Sequence, residues 1–140
     1  MALVIDCSVA MTWCLRDEAT PETDALLDRA VEETFVVPSH WHLEVANTLS
    51  QARKRNRLTE EAVGSFIRDL ASLPIEVDES TWKQALGDTM EIARTCDLTI
   101  YDAAYIELAS RRGLVIATLD GAMLRAAASR SLGVYPLRAP

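Results

Sequence analysis

Four acidic side chains lie at points where an α/β fold would bring them together: Asp6, Glu44, Asp102 and Asp120. The first directly follows a short apolar run, residues 3–5, and the last follows a second apolar run, residues 114–117, with two residues between. The other two lie early in segments with a helical pattern. If the two runs form neighbouring parallel strands, both aspartates emerge at the carboxyl edge of one sheet, where open α/β sheets place their binding sites.

Four carboxylates in one place repel one another, and a divalent cation relieves that repulsion. Hard oxygen ligands favour Mg²⁺, and Mn²⁺ is the expected substitute. A metal ion held in this way lowers the pKa of a water molecule and contacts phosphate oxygens, as phosphodiester cleavage requires. We expect Asp6, Asp102 and Asp120 to form the primary metal site. Glu44 would hold a second ion or position water, and the sequence leaves one or two ions open.

Each acid taken alone also has an ordinary structural explanation. Asp6, or Ser8 just after it, could cap a helix that follows the first strand. Asp102 occupies the last position of a capping-box pattern, in which the acid satisfies only a backbone donor. Asp120 fits a turn or an N-cap, and Glu44 could interact favourably with a helix dipole. The shared placement of all four at one predicted edge favours a functional site.

Strand-like and helix-like segments alternate along the chain. The predicted strands cover residues 2–6, 35–37, 75–77 and 114–117, with a candidate fifth strand at residues 133–135. The predicted helices cover about residues 8–15, 21–33, 40–54, 60–73, 80–95, 100–112 and 121–129, with N-caps at Thr20, Ser39, Thr59 and Thr99. This alternation predicts an α/β domain with a mostly parallel central sheet and helices on its faces. Because no linker or repeat interrupts it, we expect a single domain, residues 1–140.

Composition narrows the function classes. With 14 basic and 21 acidic residues, the net charge of −7 argues against a broad basic surface for nucleic acid. It leaves a nuclease open, because metal ions bring their own positive charge to the site. The odd number of cysteines, without zinc-site spacing, indicates buried thiols in a reducing cytoplasm. No signal peptide and no apolar stretch of membrane-spanning length is evident, so we expect a cytoplasmic protein without a membrane partner.

Three further features have both a structural and a functional interpretation. The basic residues that end the helix at 40–54 are either a solvated helix end or a contact for phosphate or an acidic partner. His40 and Glu44 can share a helical face, but a zinc site would need softer ligands. The three tryptophans are typical of core or interface positions rather than of base stacking. They are Trp13, Trp41 and Trp82.

Four blocks of the chain resemble PIN-domain ribonucleases of the VapC toxin type. They are VIDCSVAMTWCLRDE at residues 4–18, PSHWHLEVANTLSQA at 38–52, DLTIYDAAYIELASRRG at 97–113 and VIATLD at 115–120. The blocks occur in the family's order and with similar spacing, so the resemblance covers essentially the whole chain. It implies a PIN-like three-layer α/β/α domain. The departures are few, and none of them replaces an acid.

The resemblance also implies a role for individual residues. The catalytic and metal-binding acids of the family match Asp6, Glu44, Asp102 and Asp120. Ser8 and Thr118 match hydroxyl residues beside the first and last acids, where they would orient the carboxylates. Asn47 matches a polar residue one helical turn beyond the second acid.

By the same resemblance the chain is expected to be a Mg²⁺-dependent endoribonuclease, the toxin of a type II toxin–antitoxin system. Its cognate antitoxin would block the acidic site, often by presenting a basic side chain, and the toxin would form a homodimer. We expect an apolar groove for such contacts at Leu43, Ala46, Leu49 and Leu70. The class of RNA and the cleavage motif remain open.

Three alternatives differ from this prediction. A PIN-like nuclease that is not a toxin would act on another nucleic acid, such as DNA. A catalytically silent PIN-like scaffold would only bind partners, although retention of all four acids argues against it. A receiver-type phosphoryl-transfer domain also collects acids at a sheet edge, but it needs a lysine late in the chain. The two lysines here, Lys54 and Lys83, do not meet that requirement.

Overall fold

The computed structural model describes residues 1–137, and a four-stranded parallel sheet lies at its centre. The strands are β1 (Ala2–Ile5), β2 (Thr34–Val37), β3 (Ile75–Val77) and β4 (Val115–Ala117). Their spatial order is β3-β2-β1-β4, and all three neighbouring pairs are parallel. The prediction of an α/β fold with a parallel central sheet flanked by helices is confirmed.

Helices follow the strands along the chain. They are α1 (Cys7–Thr12), α2 (Pro21–Asp28), α3 (Trp41–Lys54), α4 (Glu60–Ala71), α5 (Thr81–Gln84), α6 (Met90–Cys96), α7 (Ile100–Arg112) and α8 (Gly121–Ser129). Thr20, Thr59 and Thr99 cap α2, α4 and α7 through their side chains, as predicted. Gly113 ends α7 with φ of +64°, a conformation that glycine adopts without strain.

The core lies between the sheet and the helices that cover it. β1 and β2 are almost fully buried, because both faces of a parallel sheet are covered by helices. Their sequences are therefore mostly continuous apolar runs. The run 103–109 of α7 is buried throughout, which places this helix at the centre of the packing. Trp41 and Tyr105 are the largest of the fully buried side chains. The helices that carry Glu44 and Asp102 are thereby fixed relative to the sheet.

Two helix predictions need correction. The helix expected at residues 80–95 is broken between α5 and α6, where Gly87 adopts a non-helical conformation in a π-helical turn, residues 85–89. Glycine permits that conformation, and Leu86 beside it is exposed and adds no buried contact. Ser39 does not cap α3: His40 occupies the cap position without a side-chain bond, and the Ser39 N–H donates to Thr81.

Smaller differences concern the ends of elements. The helix expected at residues 8–15 ends at Thr12, and the one expected at 21–33 becomes a 3₁₀ turn after Asp28. The fifth strand is wrong, because only Val134 pairs with β4, and Pro136 soon after has no N–H to extend the ladder.

The three cysteines are free thiols, as expected, but they are half-buried rather than buried. Within residues 1–137 no helix combines the length and the apolar character needed to cross a membrane.

Candidate active site

Neighbouring strands bring the first and last acids to the same edge of the sheet. β1 pairs in parallel with β4, with Ile5 opposite Ala117. The backbone N–H of Asp6 extends this pairing by donating to the carbonyl of Ala117 at 3.3 Å. The segment that leads to Asp120 therefore leaves the sheet beside Asp6. This confirms that the two apolar runs are adjacent strands.

Asp6 is a buried carboxylate surrounded by hydrogen-bond donors. Its Oδ1 accepts from the hydroxyl of Ser8 at 2.6 Å and from the backbone N–H of Val9 at 3.1 Å. Its Oδ2 accepts from the hydroxyl of Thr118 at 2.5 Å. The bond to Val9 makes Asp6 the N-cap of α1, so the structural interpretation of this acid also holds. The three donors fix the carboxylate in one orientation.

Thr118 links Asp6 to Asp120. While its hydroxyl donates to Asp6, its oxygen accepts from the backbone N–H of Asp120 at 3.0 Å. Asp120 caps α8 by accepting from the N–H of Met123 through Oδ2, at 2.9 Å. The structure gives its Oδ1 no bond within the described residues, so that oxygen is free for a ligand. The hydroxyl oxygen of Ser8 accepts a hydrogen bond from the backbone N–H of Leu119 at 3.3 Å, which holds the segment before Asp120 in place.

Two helices supply the remaining acids. Glu44 lies in the first turn of α3, and Asp102 in the first turn of α7. All four acids line one cavity of about 130 Å³, together with Cys7, Ser8, Tyr105 and Met123. The four acids selected from the sequence are therefore neighbours in space. Their catalytic and metal-binding roles stay a prediction.

Crowding and burial raise the pKa of two of these carboxyls. Burial raises the pKa of Asp6 to about 6, against the opposing effect of its hydrogen bonds from Ser8, Thr118 and Val9. The negative charge of Asp120 adds to the increase. The pKa of Asp102 is also raised, first by burial and then by the charges of Asp120 and Glu44. A nearby cation would stabilise the charged form of both carboxyls.

A pH dependence of stability follows for the protein in a metal-chelating buffer. The pKa of Asp6 is 3.8 as a free group and about 6 in the folded chain, so its contribution is complete below pH 3.8. It is lost as pH rises through about 6, a change of about 3 kcal/mol. We expect denaturant titrations at pH 4 to 8 to show this loss. Asp6→Asn should lose less stability over that range, and two parallel curves would contradict the assignment.

Tyr105 and His40 both contact the carboxylate of Glu44. Tyr105 was not identified as a site residue from the sequence. Its hydroxyl donates to Glu44 Oε1 at 2.5 Å, and His40 Nε2 lies 3.4 Å from the same oxygen. Burial and the bond to Glu44 raise the pKa of Tyr105 above its usual range, so it stays a donor. One signal was available: Tyr105 follows Asp102 by three residues, which places both on one face of α7.

Other predicted residues lie outside this cavity. Asn47 is exposed and lines a separate groove beside Glu44. Among the basic residues near the end of α3, Arg57 pairs with Asp17 and Glu18. Arg53 pairs with Glu60.

The tryptophans divide into two kinds. Trp13 and Trp41 belong to the core, as expected for most tryptophans, whereas Trp82 is 71% exposed.

Two grooves flank α3. Ala46, Leu49 and Leu70 line one of about 400 Å³, as predicted, although Leu43 is not part of its lining. None of the four acids lines that groove. A second groove of about 640 Å³ shares Cys7, Ser8 and Glu44 with the acidic cavity and continues over apolar side chains. These apolar side chains are Met11, Leu15 and Leu119.

Comparisons with known proteins identify the family of the chain and its fold. Ribonuclease VapC3 from Pyrobaculum aerophilum is 27% identical over 121 residues, covering 86% of this chain and 90% of that protein. Ribonuclease VapC3 from Mycobacterium tuberculosis is 26% identical over 126 residues, covering 89% and 86%. The structure of VapBC2 from Rickettsia felis, bound to a DNA fragment from their promoter, matches with a TM-score of 0.68 at 14% identity. That match covers 96% of this chain and 97% of the other and concerns the fold.

The model of the PIN domain family matches residues 3–129, which include all four acids and the whole sheet except Ala2. The chain therefore belongs to the PIN domain family and is similar over most of its length to ribonucleases of the VapC type.

Proposed function

We propose that this chain is a Mg²⁺-dependent endoribonuclease, the toxin of a type II toxin–antitoxin pair, acting as a single domain of residues 1–140. The observation that carries the proposal is the joint lining of one cavity by four carboxylates, from the β1–α1 junction, α3, α7 and the β4–α8 turn. Relatives named ribonuclease support RNA as the substrate. The cytoplasmic location inferred from the unpaired cysteines remains a prediction.

The residues present fit a hard divalent cation. The donors are carboxylate oxygens, which Mg²⁺ and Mn²⁺ prefer. The raised pKa of Asp6, caused first by burial and in part by the charge of Asp120, supports a stabilising cation nearby. Within residues 1–137 no group of three such side chains is already arranged to hold an ion. We therefore expect binding to draw the half-buried side chains of Asp102 and Asp120 toward Asp6.

The chain's own residues have separable tasks in phosphodiester cleavage. A bound ion would supply an activated water and charge stabilisation on the phosphate. Asp6, Asp102 and Asp120 would hold that ion, with Ser8 and Thr118 fixing the orientation of Asp6. The free oxygen of Glu44 would hold a second ion or orient the attacking water. Asn47, which lies in the adjacent groove, is better placed to contact the RNA strand than to orient a carboxylate.

A cleavage assay with matched substrates tests this function. We expect purified chain to cleave single-stranded RNA internally in Mg²⁺ or Mn²⁺ and to stop when the metal is chelated. Single-stranded DNA of the same sequence is the control and should remain intact. Cleavage of DNA at the same rate would favour the more general nuclease. Absence of cleavage with many RNAs, despite metal binding, would favour a silent scaffold.

The second groove supports an antitoxin partner. The solved structure of VapBC2 is a complex of this kind, and the groove described here runs from apolar side chains to Glu44. One extended segment with apolar residues and a terminal basic side chain could fill the groove and reach the carboxylates. The groove expected from the sequence, at Leu49 and Leu70, is a different one and shares no lining residue with the acidic cavity.

Exposed apolar side chains support the proposal of a homodimer. Trp82 in α5, Leu86 in the π-helical turn and Met90 at the start of α6 lie four residues apart and are 71%, 89% and 50% exposed. Large apolar side chains grouped on one exposed segment are typical of protein interfaces. A second copy of the chain, burying the same segment, would form the symmetric contact that most homodimers use.

A further inference from the structure

One oxygen of Glu44 is already engaged. The hydroxyl of Tyr105, a residue only 1% exposed, donates to Oε1, and the Tyr105 ring forms part of the wall of the acidic cavity. The side chain of Glu44 is 30% exposed and would otherwise be free to adopt several rotamers. A charge-assisted bond of this kind holds a long, flexible carboxylate in one place.

His40 reinforces the same orientation. Its Nε2 lies 3.1 Å from the carbonyl oxygen of Tyr101 and 3.4 Å from Glu44 Oε1. Both neighbours are oxygens that accept hydrogen bonds, so Nε2 carries the proton, which it donates to the Tyr101 carbonyl. The edge of the His40 ring also packs against Tyr105, with ring centroids 5.4 Å apart. Tyr105 thus donates to Oε1 while His40 lies beside the same oxygen, and the structure gives Oε2 no partner within residues 1–137.

We propose that Tyr105, supported by His40, is a positioning residue that holds Glu44 so that only Oε2 serves the metal site. The inference rests on the proposed function, since it assigns the way in which one of the proposed ligands is presented. It restricts Glu44 to a single ligating oxygen. Loss of an outer residue that orients a metal ligand weakens metal affinity or activity about ten- to hundredfold.

A buried tyrosine hydroxyl also needs a partner for purely structural reasons, so the test must separate the two roles. Mn²⁺ binding to the full chain is measured by calorimetry without RNA, for wild type and Tyr105→Phe. Tyr101→Phe is the matched control, because it removes a hydroxyl from the same helix without touching Glu44. We expect the control to bind as wild type does. Tyr105→Phe should bind the ion associated with Glu44 about ten- to hundredfold more weakly.

A double variant shows whether Tyr105 acts through Glu44. If it does, Tyr105→Phe combined with Glu44→Gln binds Mn²⁺ no more weakly than Glu44→Gln alone. Additive losses, or wild-type affinity in Tyr105→Phe, would overturn the proposal. Should Tyr105→Phe fail to fold in a metal-free melt, His40→Ala removes the other side chain that contacts the same oxygen and must weaken Mn²⁺ binding instead.

The outcomes also separate this inference from the proposed function. A wild-type chain that binds Mn²⁺ tightly but cleaves no RNA contradicts the function and leaves the positioning role intact. Equal binding by wild type and Tyr105→Phe contradicts only the positioning role. A wild-type chain that binds no divalent ion, and whose melting temperature does not rise with millimolar Mn²⁺, overturns both.

Discussion

Asp6→Asn is expected to abolish Mg²⁺-dependent cleavage of RNA while the chain stays folded. Asp6 is the most buried of the four acids and receives hydrogen bonds from Ser8, Val9 and Thr118, so no neighbouring side chain can take its place. Asparagine caps a helix as well as aspartate does, and the bond from Val9 is retained. Loss of a residue that only orients a metal ligand lowers activity by up to about hundredfold. Removing the charge of a ligand itself should lower the cleavage rate by more than that.

The rate is measured on a labelled RNA under single-turnover conditions, with the melting temperature as the check on folding. Asp28→Asn is the matched control, because it removes one exposed carboxylate at the far end of α2. It should cleave at the wild-type rate. If Asp6→Asn also cleaves at that rate in Mg²⁺, the assignment of the site is wrong.

The placement of Asp6 and Asp120 could be predicted because it depends on short-range signals. An apolar run predicts a buried strand, and parallel strands end at the same edge, so the residues that follow them meet. The same residues turned out to cap α1 and α8. Capping and lining the cavity are therefore compatible, and the two interpretations of each acid were not true alternatives.

The contact between Glu44 and Tyr105 could not be predicted in this way. It joins residues 61 positions apart on two helices, and it depends on how α3 and α7 are rotated about their axes. Helical periodicity gives the buried face of each helix but not the alignment of one helix with the other. Asn47 illustrates the same limit, since one helical turn beyond Glu44 leads into the adjacent groove.

The break at Gly87 had a different cause. Helical periodicity extends across residues 80–95, and a glycine within such a pattern is usually tolerated. The chain leaves the helix there because exposed Leu86 contributes no packing that would hold it. Whether a segment packs is a property of the tertiary structure.

Expression of the wild-type chain without a partner is expected to arrest bacterial growth, and co-expression of the small protein encoded beside it should restore growth. Glu44 lines both the acidic cavity and the groove that contains Met11, Leu15 and Leu119, so one segment bound in the groove would reach the metal ligands and block the RNA. With a net charge of −7, the chain attracts a basic side chain to this site. Inhibition therefore needs no change of fold.

Growth curves after induction measure the effect, with Asp6→Asn as the inactive control and Asp28→Asn as the active one. Glu18→Lys tests the route of relief, because it places a positive charge at a partly exposed position of the groove without altering any of the four acids. It should remain toxic but escape rescue by the partner. Wild-type chain that is harmless when expressed alone, or toxicity that the partner leaves unchanged, would exclude the toxin while leaving a plain ribonuclease. Rescue of Glu18→Lys as complete as that of wild type would place the antitoxin elsewhere, and the groove at Leu49 and Leu70 would then be the next surface to test.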